Sequence, residues 1–371
     1  MISRIEASNF KCFKNLSLDL SNLNLLSGVN SMGKSTVIQL LLLLRQSYEQ
    51  RSLEKGIYLN GRYVNLGVGK DVLYTEALEN YIEIAFTNED SERFQTRYAY
   101  NKASDFLKLE NKIDIDTISH SSLFGRGFYY IAADRLGPQN SYEKSYYEVW
   151  DNNQLGMHGE YAVHYLQEHA ADKIEDEYVF HDGSIDNNLL IDQIESWMGE
   201  ITPGVSLRTE DYGHSNRISL MVHQKSNNGA EYFTAQNVGF GISYVLPIVL
   251  ALLKAKEGDL VILENPEAHI HPRGQRKMGE LIARASQGGV QIIVETHSDH
   301  ILNGIRLSAN RKVLDPELVK LYFFTRQEVS NGEEKILVPK IENPILKSDG
   351  RLSFWPDGFF DEWDYVIDNL F

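Results

Sequence analysis

The sequence predicts an α/β fold: a core of mixed and parallel sheet built around a glycine-rich loop, an antiparallel β layer, a helical insertion and a small C-terminal β cap. Three observations carry that expectation. A glycine-rich turn at residues 28–35 follows a short apolar strand and opens an apolar helix. Further along, the apolar runs at 260–263 and 290–294 alternate with helical stretches, the order that builds a parallel sheet. Between these, residues 56–100 alternate polar and apolar side chains, with glycines at 61, 67 and 69 where hairpins would turn.

Taken in order, Ile2–Ile5, Leu16–Leu20 and Leu23–Leu26 read as strands before the loop, and a helix follows from about Lys34 to Gln50. The antiparallel layer covers 56–100. Residues 102–232 mix polar loops with helical stretches near 160–169 and 189–198 and a strand at 218–222. Then come a helix at about 242–255, the strand 260–263, a helix at about 272–286 and the strand 290–294. The last fifty residues read as the β cap, ending in the aromatic-rich FWPDGFFDEWDY. No long heptad array, fixed-period repeat or low-complexity tract stands out, which argues against rod-like arms and solenoids.

Composition narrows the class. A chain of 371 residues allows two or three domains of roughly 100–200 residues, or one large α/β domain with an insertion. Hydrophobic residues at 42% and charged residues at 24% are ordinary for a globular protein. The formal net charge of −16 argues against binding nucleic acid by charge alone, leaving only a local basic groove for that purpose. Cys12 is the only cysteine, so no intramolecular disulfide forms and no zinc site rests on a cysteine pair. The longest apolar stretches, 40–44 and 244–253, fall short of the ~18 residues that span a bilayer, and the opening MISRIEASNF lacks the layout of a secretory signal. The expectation is a cytoplasmic protein with no membrane partner.

Gly28–Ser35 reads GVNSMGKS, which satisfies GxxxxGK[ST] in the strand-to-helix context that a phosphate-binding loop requires. Gly28, Asn30, Ser31 and Gly33 let the backbone fold around an anion, Lys34 adds a mobile charge, Ser35 offers a hydroxyl to Mg²⁺, and Thr36 follows in the helix. The ligand expected there is ATP. In LVILENPEAHIHP, four apolar strand residues end at Glu264, which places a carboxylate at the carboxyl edge of a parallel sheet as a partner for Mg²⁺. In QIIVETHSDH, Glu295 and His297 follow another buried strand, and Thr296 or Ser298 would cap the next helix. NVGFGIS opens an apolar helix with Gly239 and Gly241, either as a phosphate-binding helix start or as a tight turn. His269 and His271 beside the acidic strand, and His297 and His300, are a weak zinc candidate. His158, His164 and His169 read as solvated surface histidines.

In order and spacing these pieces resemble ABC-type P-loop ATPases of the SMC/RecF class, above all compact bacterial ones without coiled-coil arms. The opening MISRIEASNFKCFKNLSLDL resembles theirs too, and the likeness covers 1–50 and 235–310 well. It implies an ABC-ATPase head at 1–310, with 56–100 and 102–232 inside it, and a cap at 311–371. GVNSMGKS would be its Walker A loop, VILENPEAHIHP the Walker B strand with the dimer-facing loop, and ETHSDH the histidine switch. NVGFGIS, with Ser243, would be the signature that completes a partner subunit's site. Gln139, in YYIAADRLGPQN, stands where the family has its glutamine loop. Two subunits would then sandwich two ATP molecules as a homodimer or higher oligomer. The NFKCFK segment reads either as an adenine contact through Lys11 and Phe13 or as an ordinary strand with Phe13 buried.

One departure matters. The family's Walker B strand ends in Asp-Glu, whereas this chain has Glu264-Asn265, and an asparagine cannot accept a proton. Either hydrolysis is slow, or Glu295 or Glu267 activates water; Glu295 is the stronger choice because it ends a strand. The resemblance implies ATP hydrolysis coupled to a separately encoded effector or to DNA, in genome maintenance or anti-phage defence. A nucleotide-sensing scaffold with little turnover is the alternative. A small-molecule kinase would leave NVGFGIS and ETHSDH idle.

Overall fold

The computed structural model describes residues 1–118, 120–184, 186–213, 215–224, 231–238, 240–331, 334–360, 366–367 and 370. They divide into two units. One comprises Met1–Phe128, Val319–Ile345 and Leu352–Phe371, and the other Tyr129–Leu318 and Leu346–Arg351.

The first unit opens with the hairpin β1 (Ile2–Phe10) and β2 (Phe13–Asp19), in which Ile5 faces Leu18 and Ala7 faces Leu16. Alternate residues on both strands are buried, the pattern of a sheet with one face in the core. β3 (Leu23–Gly28) is buried from Leu23 through Ser27 instead, as a strand covered on both faces must be, and it leads into α1 (Lys34–Glu49). Every residue from Leu40 to Leu44 is buried, so α1 is a core helix. Its buried Gln46 is satisfied: Nε2 donates to the Tyr58 carbonyl at 2.8 Å, and Oε1 accepts from the Val64 amide at 3.1 Å.

After β4 (Gly56–Tyr58) and the short helix α2 (Gly69–Val72), the strands β5 (Tyr81–Asn88) and β6 (Arg93–Ala99) extend the first hairpin, giving the order β2-β1-β5-β6. The antiparallel layer therefore includes the first two strands of the chain, which the sequence had placed with the loop and its helix. β7 (Phe106–Lys108) pairs with β4, and α3 (Ile115–Ile118) follows.

The second unit takes β8 (Phe128–Ile131) from its second residue onward, then β9 (Tyr142–Glu143), α4 (Ala162–His169) and α5 (Leu190–Ile201). β10 (Val205–Asp211), β11 (Arg217–Gln224) and β12 (Tyr232–Thr234) form an antiparallel sheet whose central strand also pairs with β9. Residues 102–232 thus hold more strand than expected, because polar strands such as VSLRTED carry no clear apolar alternation. α6 (Phe240–Lys254), β13 (Leu260–Glu264), α7 (Pro272–Gln287), β14 (Gln291–Glu295) and α8 (Asp299–Asn310) follow in the expected alternation. β13 and β14 run parallel and in register, with β8 beside β13.

Two histidines correct the sequence reading. His164 and His169 are core residues, 3% and 8% exposed. The His169 ring lies 4.2 Å from that of Tyr165 and 4.6 Å from that of Trp150, and burial lowers the pKa of His164. The cause is α4, whose first five residues, 162–166, are buried together with His169.

The chain returns to the first unit as β15 (Val319–Asn331) and β16 (Glu334–Glu342). β15 lies parallel to β3, with Phe324 beside Gly28, and β16 folds back antiparallel. The C-terminal β stretch therefore supplies the neighbour of the very strand that carries the glycine loop. Among the described residues no helix is long and apolar enough to cross a membrane.

Candidate functional site

The loop between β3 and α1 is shaped by backbone. Gly28, Ser31 and Gly33 have φ of 125°, 64° and 101°, so the chain turns through the left-handed region three times in six residues. A side chain at Gly28 is impossible, since a Cβ there would lie 2.1 Å from the Phe324 carbonyl oxygen. At Gly33 it would lie 2.3 Å from the Phe13 ring, which is core and only 5% exposed; Phe13 is thus the ordinary buried strand residue. Lys11, half-buried, donates to Gln39 Oε1 at 2.7 Å.

Gly33 is the N-cap of helix α1, and among the described residues no side chain caps that terminus and no acidic residue stands in its first turn. Amide groups at such a terminus favour an anion. Lys34 Nζ donates to the carbonyls of Gly28 and Val29 at 2.9 and 3.0 Å, folded back over the loop. Asn30, Ser31 and Ser35 are exposed, whereas Thr36 is buried with Oγ1 3.9 Å from Cys12 Sγ. The donor set of amides, ammonium and hydroxyl fits a phosphate group with a hard cation.

The second unit gathers the carboxylates. Glu264 and Glu295 are paired residues at the ends of β13 and β14. Glu264 accepts from Tyr130 Oη at 3.2 Å and from the Ala133 amide at 3.3 Å. Burial raises its pKa, and those two donors oppose the rise. Glu295 is 7% exposed. Asn265 takes φ of 44°, and its buried side-chain Oδ1 has no hydrogen-bond partner among the described residues. A carbonyl oxygen so placed can accept from a water although it cannot take its proton. This oxygen-rich edge fits Mg²⁺ and its water shell.

Arg135 is the residue at this strand end that the sequence did not single out. It is 3% exposed: Nη1 donates to the carbonyls of Ala132 and Glu264 and Nη2 to that of Asn265, each at 2.7 Å. Burial pushes its pKa down to about 10, which still leaves it charged at neutral pH. It thus clamps the backbone at the acidic strand end. The only signal in the sequence was its place four residues before Gln139, in the loop already singled out.

Glu267 accepts from Thr296 Oγ1 at 2.7 Å and from the His297 amide at 2.8 Å, while the His297 residue itself is exposed. Ser298 caps α8, accepting from the amides of His300 and Ile301. His269 packs on the Tyr244 ring at 4.4 Å and His271 caps α7, so both have structural places. Among the described residues no group of three or more His, Cys, Asp or Glu is arranged to hold a metal ion. Ser243 is buried, its hydroxyl 3.0 Å from Tyr142 Oη, which also accepts from the amide of the exposed Gln139 at 3.2 Å. Gly241 stands in the first turn of α6, and Gly239 lies outside the described residues.

The sequence of the loop between β3 and α1 is that of a P-loop, and the fold is that of Smc head domains. The chain belongs to the family described as "AAA domain, putative AbiEii toxin, Type IV TA system", whose model matches residues 23–303. A second model, "Protein of unknown function (DUF3696)", matches 314–370. Solved structures share the fold. An Smc head domain with a coiled coil and joint from Pyrococcus yayanosii aligns with a TM-score of 0.55 at 10% identity over 99% of each chain. An Smc head domain with an extended coiled coil, bound to the C-terminal domain of ScpA and derived from Pyrococcus furiosus, aligns at 0.51 and 14% over 100% of this chain and 99% of that one. An SmcHead bound to the C-winged helix domain of ScpA aligns at 0.51 and 13% over 93% and 98%. No curated protein matches the chain.

Proposed function

We propose that this chain binds and hydrolyses ATP with Mg²⁺, and that its ATP-dependent homodimer couples nucleotide state to a separately encoded effector protein. The observation that carries the reading is the uncapped start of α1 behind a loop with three left-handed turns, with Lys34 folded over it. Motif order and family membership add Ser35 and Glu264 as the Mg²⁺ partners, Glu295 as the group that activates water, and His297 as the γ-phosphate contact. The signature around Gly239, Gly241 and Ser243 would serve a partner subunit's nucleotide, with Gln139 as a metal or water contact. The two family matches part between residues 303 and 314, near the proposed boundary between an ATPase head at 1–310 and a C-terminal β cap at 311–371.

The toxin–antitoxin wording of the family supports a role in defence, and the ScpA-bound Smc heads support a protein partner. DNA is the other partner class we propose for the dimer, and the cytoplasm its location. A scaffold with little turnover is the second reading, favoured by Asn265 at the position of the usual catalytic glutamate.

Steady-state ATP hydrolysis with Mg²⁺ decides between them, with ATP binding measured on each sample. Lys34→Ala should lose ATP affinity, and Glu264→Gln should lose turnover by ~100-fold or more. Glu295→Gln should keep ATP binding and lose turnover. Tight ATP binding by the wild type without turnover would favour the scaffold; absent ATP binding would defeat both readings.

A further inference from the structure

A closed circuit of side-chain hydrogen bonds joins two segments of the second unit, the loop 265–271 and the turn 295–298. Glu267 holds Thr296 Oγ1 at 2.7 Å and the His297 amide at 2.8 Å. Thr296 Oγ1 accepts in turn from the Ser298 amide at 3.1 Å. Ser298 Oγ donates to Gln275 Oε1 at 2.6 Å, and Gln275 Nε2 returns to the loop, donating to the Ile270 carbonyl at 2.8 Å. A direct backbone bond, from the Asn265 amide to the Glu295 carbonyl at 2.9 Å, closes the base. Thr296 and Ser298 are buried, so the bond between them is shielded from competing water, whereas the bond from the His297 amide to Glu267 lies at the exposed end of the circuit.

The loop needs such support. Asn265 and His269 hold φ of 44° and 61°, conformations that non-glycine residues keep only when their surroundings impose them. The exposed residue His297 is carried by the peptide whose N–H Glu267 holds. A displacement of that peptide must either break a charge-assisted bond or drag Glu267, and through Gln275 the loop, along with it.

We infer that Glu267 is a positioning residue rather than the water-activating group: it aims His297 and, with Gln275, makes loop 265–271 move as one body with the histidine turn. The inference rests on the proposed contact between His297 and the γ-phosphate. Both oxygens of Glu267 already serve that task, whereas Glu295 ends its strand beside Glu264.

The experiment measures the affinity of the full chain, with Mg²⁺, for ADP and for a non-hydrolysable ATP analogue, alongside turnover of ATP. His297→Ala and Glu267→Gln should each cut the preference for the analogue over ADP by ~10-fold, with ADP affinity unchanged. The double variant should lose no more than either single one, because the two act as a unit. Glu267→Asp should restore part of the preference, and Gln275→Ala should lower it a few-fold, which also carries the test if Glu267→Gln fails to fold. If His297→Ala collapses the preference while Glu267→Gln and Gln275→Ala leave it intact, the coupling is overturned. It is equally overturned if Glu267→Gln abolishes turnover with the preference at the wild-type level, since Glu267 is then the water-activating group. An unchanged preference in His297→Ala removes the γ-phosphate contact itself, and the inference falls with it.

Discussion

In the first unit the loop 28–35 is held by backbone: three left-handed residues, a helix start without a side-chain cap, and a lysine bonded to two carbonyls of its own loop. In the second unit the end of β13 is held by side chains drawn from distant positions. Tyr130 and the Ala133 amide reach the Glu264 carboxylate, Arg135 reaches three carbonyls, and Glu267 reaches across to the turn after β14. The contrast has a chemical reason. A phosphate is met well by fixed amides, which need only the right backbone, whereas carboxylates set side by side must be desolvated, oriented and kept at workable pKa values by neighbours. One half of the chemistry is therefore local in the chain and the other is a tertiary construction.

The sharpest way to break that contrast is to remove Arg135. Arg135→Met leaves the carbonyls of Ala132, Glu264 and Asn265 without their donor in a buried setting, and should cost about 3 kcal/mol of stability. Arg135→Lys should not restore it, because a lysine offers a point charge and not a planar fork. Asn30→Ala, at the exposed tip of the loop, should stay within about 0.5 kcal/mol of wild type. Thermal unfolding of the three variants decides. An Arg135→Met protein that melts like the wild type would mean that the acidic edge is as self-supporting as the loop.

The same contrast explains what could be read from the sequence. The loop, α1 and the apolar strands ending at Glu264 and Glu295 were legible because glycine spacing and apolar runs are short-range signals. The placement of β1 and β2 in the antiparallel layer was not, since a strand's partner is not written in its own alternation. Arg135 and Tyr130 were illegible for a related reason: a buried arginine that spends its donors on carbonyls looks like any surface arginine in one dimension. His164 and His169 misled in the opposite direction, because a histidine on a buried helix face looks polar in one dimension: His169 lies against the Tyr165 and Trp150 rings, and His164 Nδ1 accepts from the Ser145 amide.

Acidity offers the second, smaller test. Burial raises the pKa of Glu264, so its neutral form is favoured in the folded chain. Below the raised pKa the carboxyl is protonated and cannot bind a cation. Mg²⁺ affinity should therefore decline on acidification from a pH above the ordinary glutamate value of about 4.3. Without metal the sign for stability is the reverse: an acid with a raised pKa destabilises the fold above its unfolded value, so this contribution improves as pH falls through the folded pKa. Tyr130→Phe removes a donor to the carboxylate and should move the decline to higher pH, lowering Mg²⁺ affinity ~3- to 10-fold at a fixed mildly acidic pH. Titration of Mg²⁺ binding against pH in both proteins checks it. A decline that ignores Tyr130→Phe would separate that phenol from the metal chemistry.

The smallest effect tests whether side-chain ties also restrain the signature. Ser243 would have to offer its hydroxyl to a partner subunit's nucleotide, yet that hydroxyl lies 3.0 Å from Tyr142 Oη, and Tyr142 also receives the Gln139 amide. Tyr142→Phe cuts both ties at once, with a stability cost of about 1 kcal/mol for neutral hydrogen bonds. If the tie competes with the partner's phosphate, the variant should self-associate ~2- to 5-fold more tightly with ATP and no differently with ADP. Ser243→Ala should weaken the same association, because it removes the contact along with the tie. Sedimentation of both variants with each nucleotide separates the cases. Weaker association in Tyr142→Phe would mean that the tyrosine aims Ser243 toward the nucleotide, which would make the signature a tertiary construction of the same kind as the acidic edge.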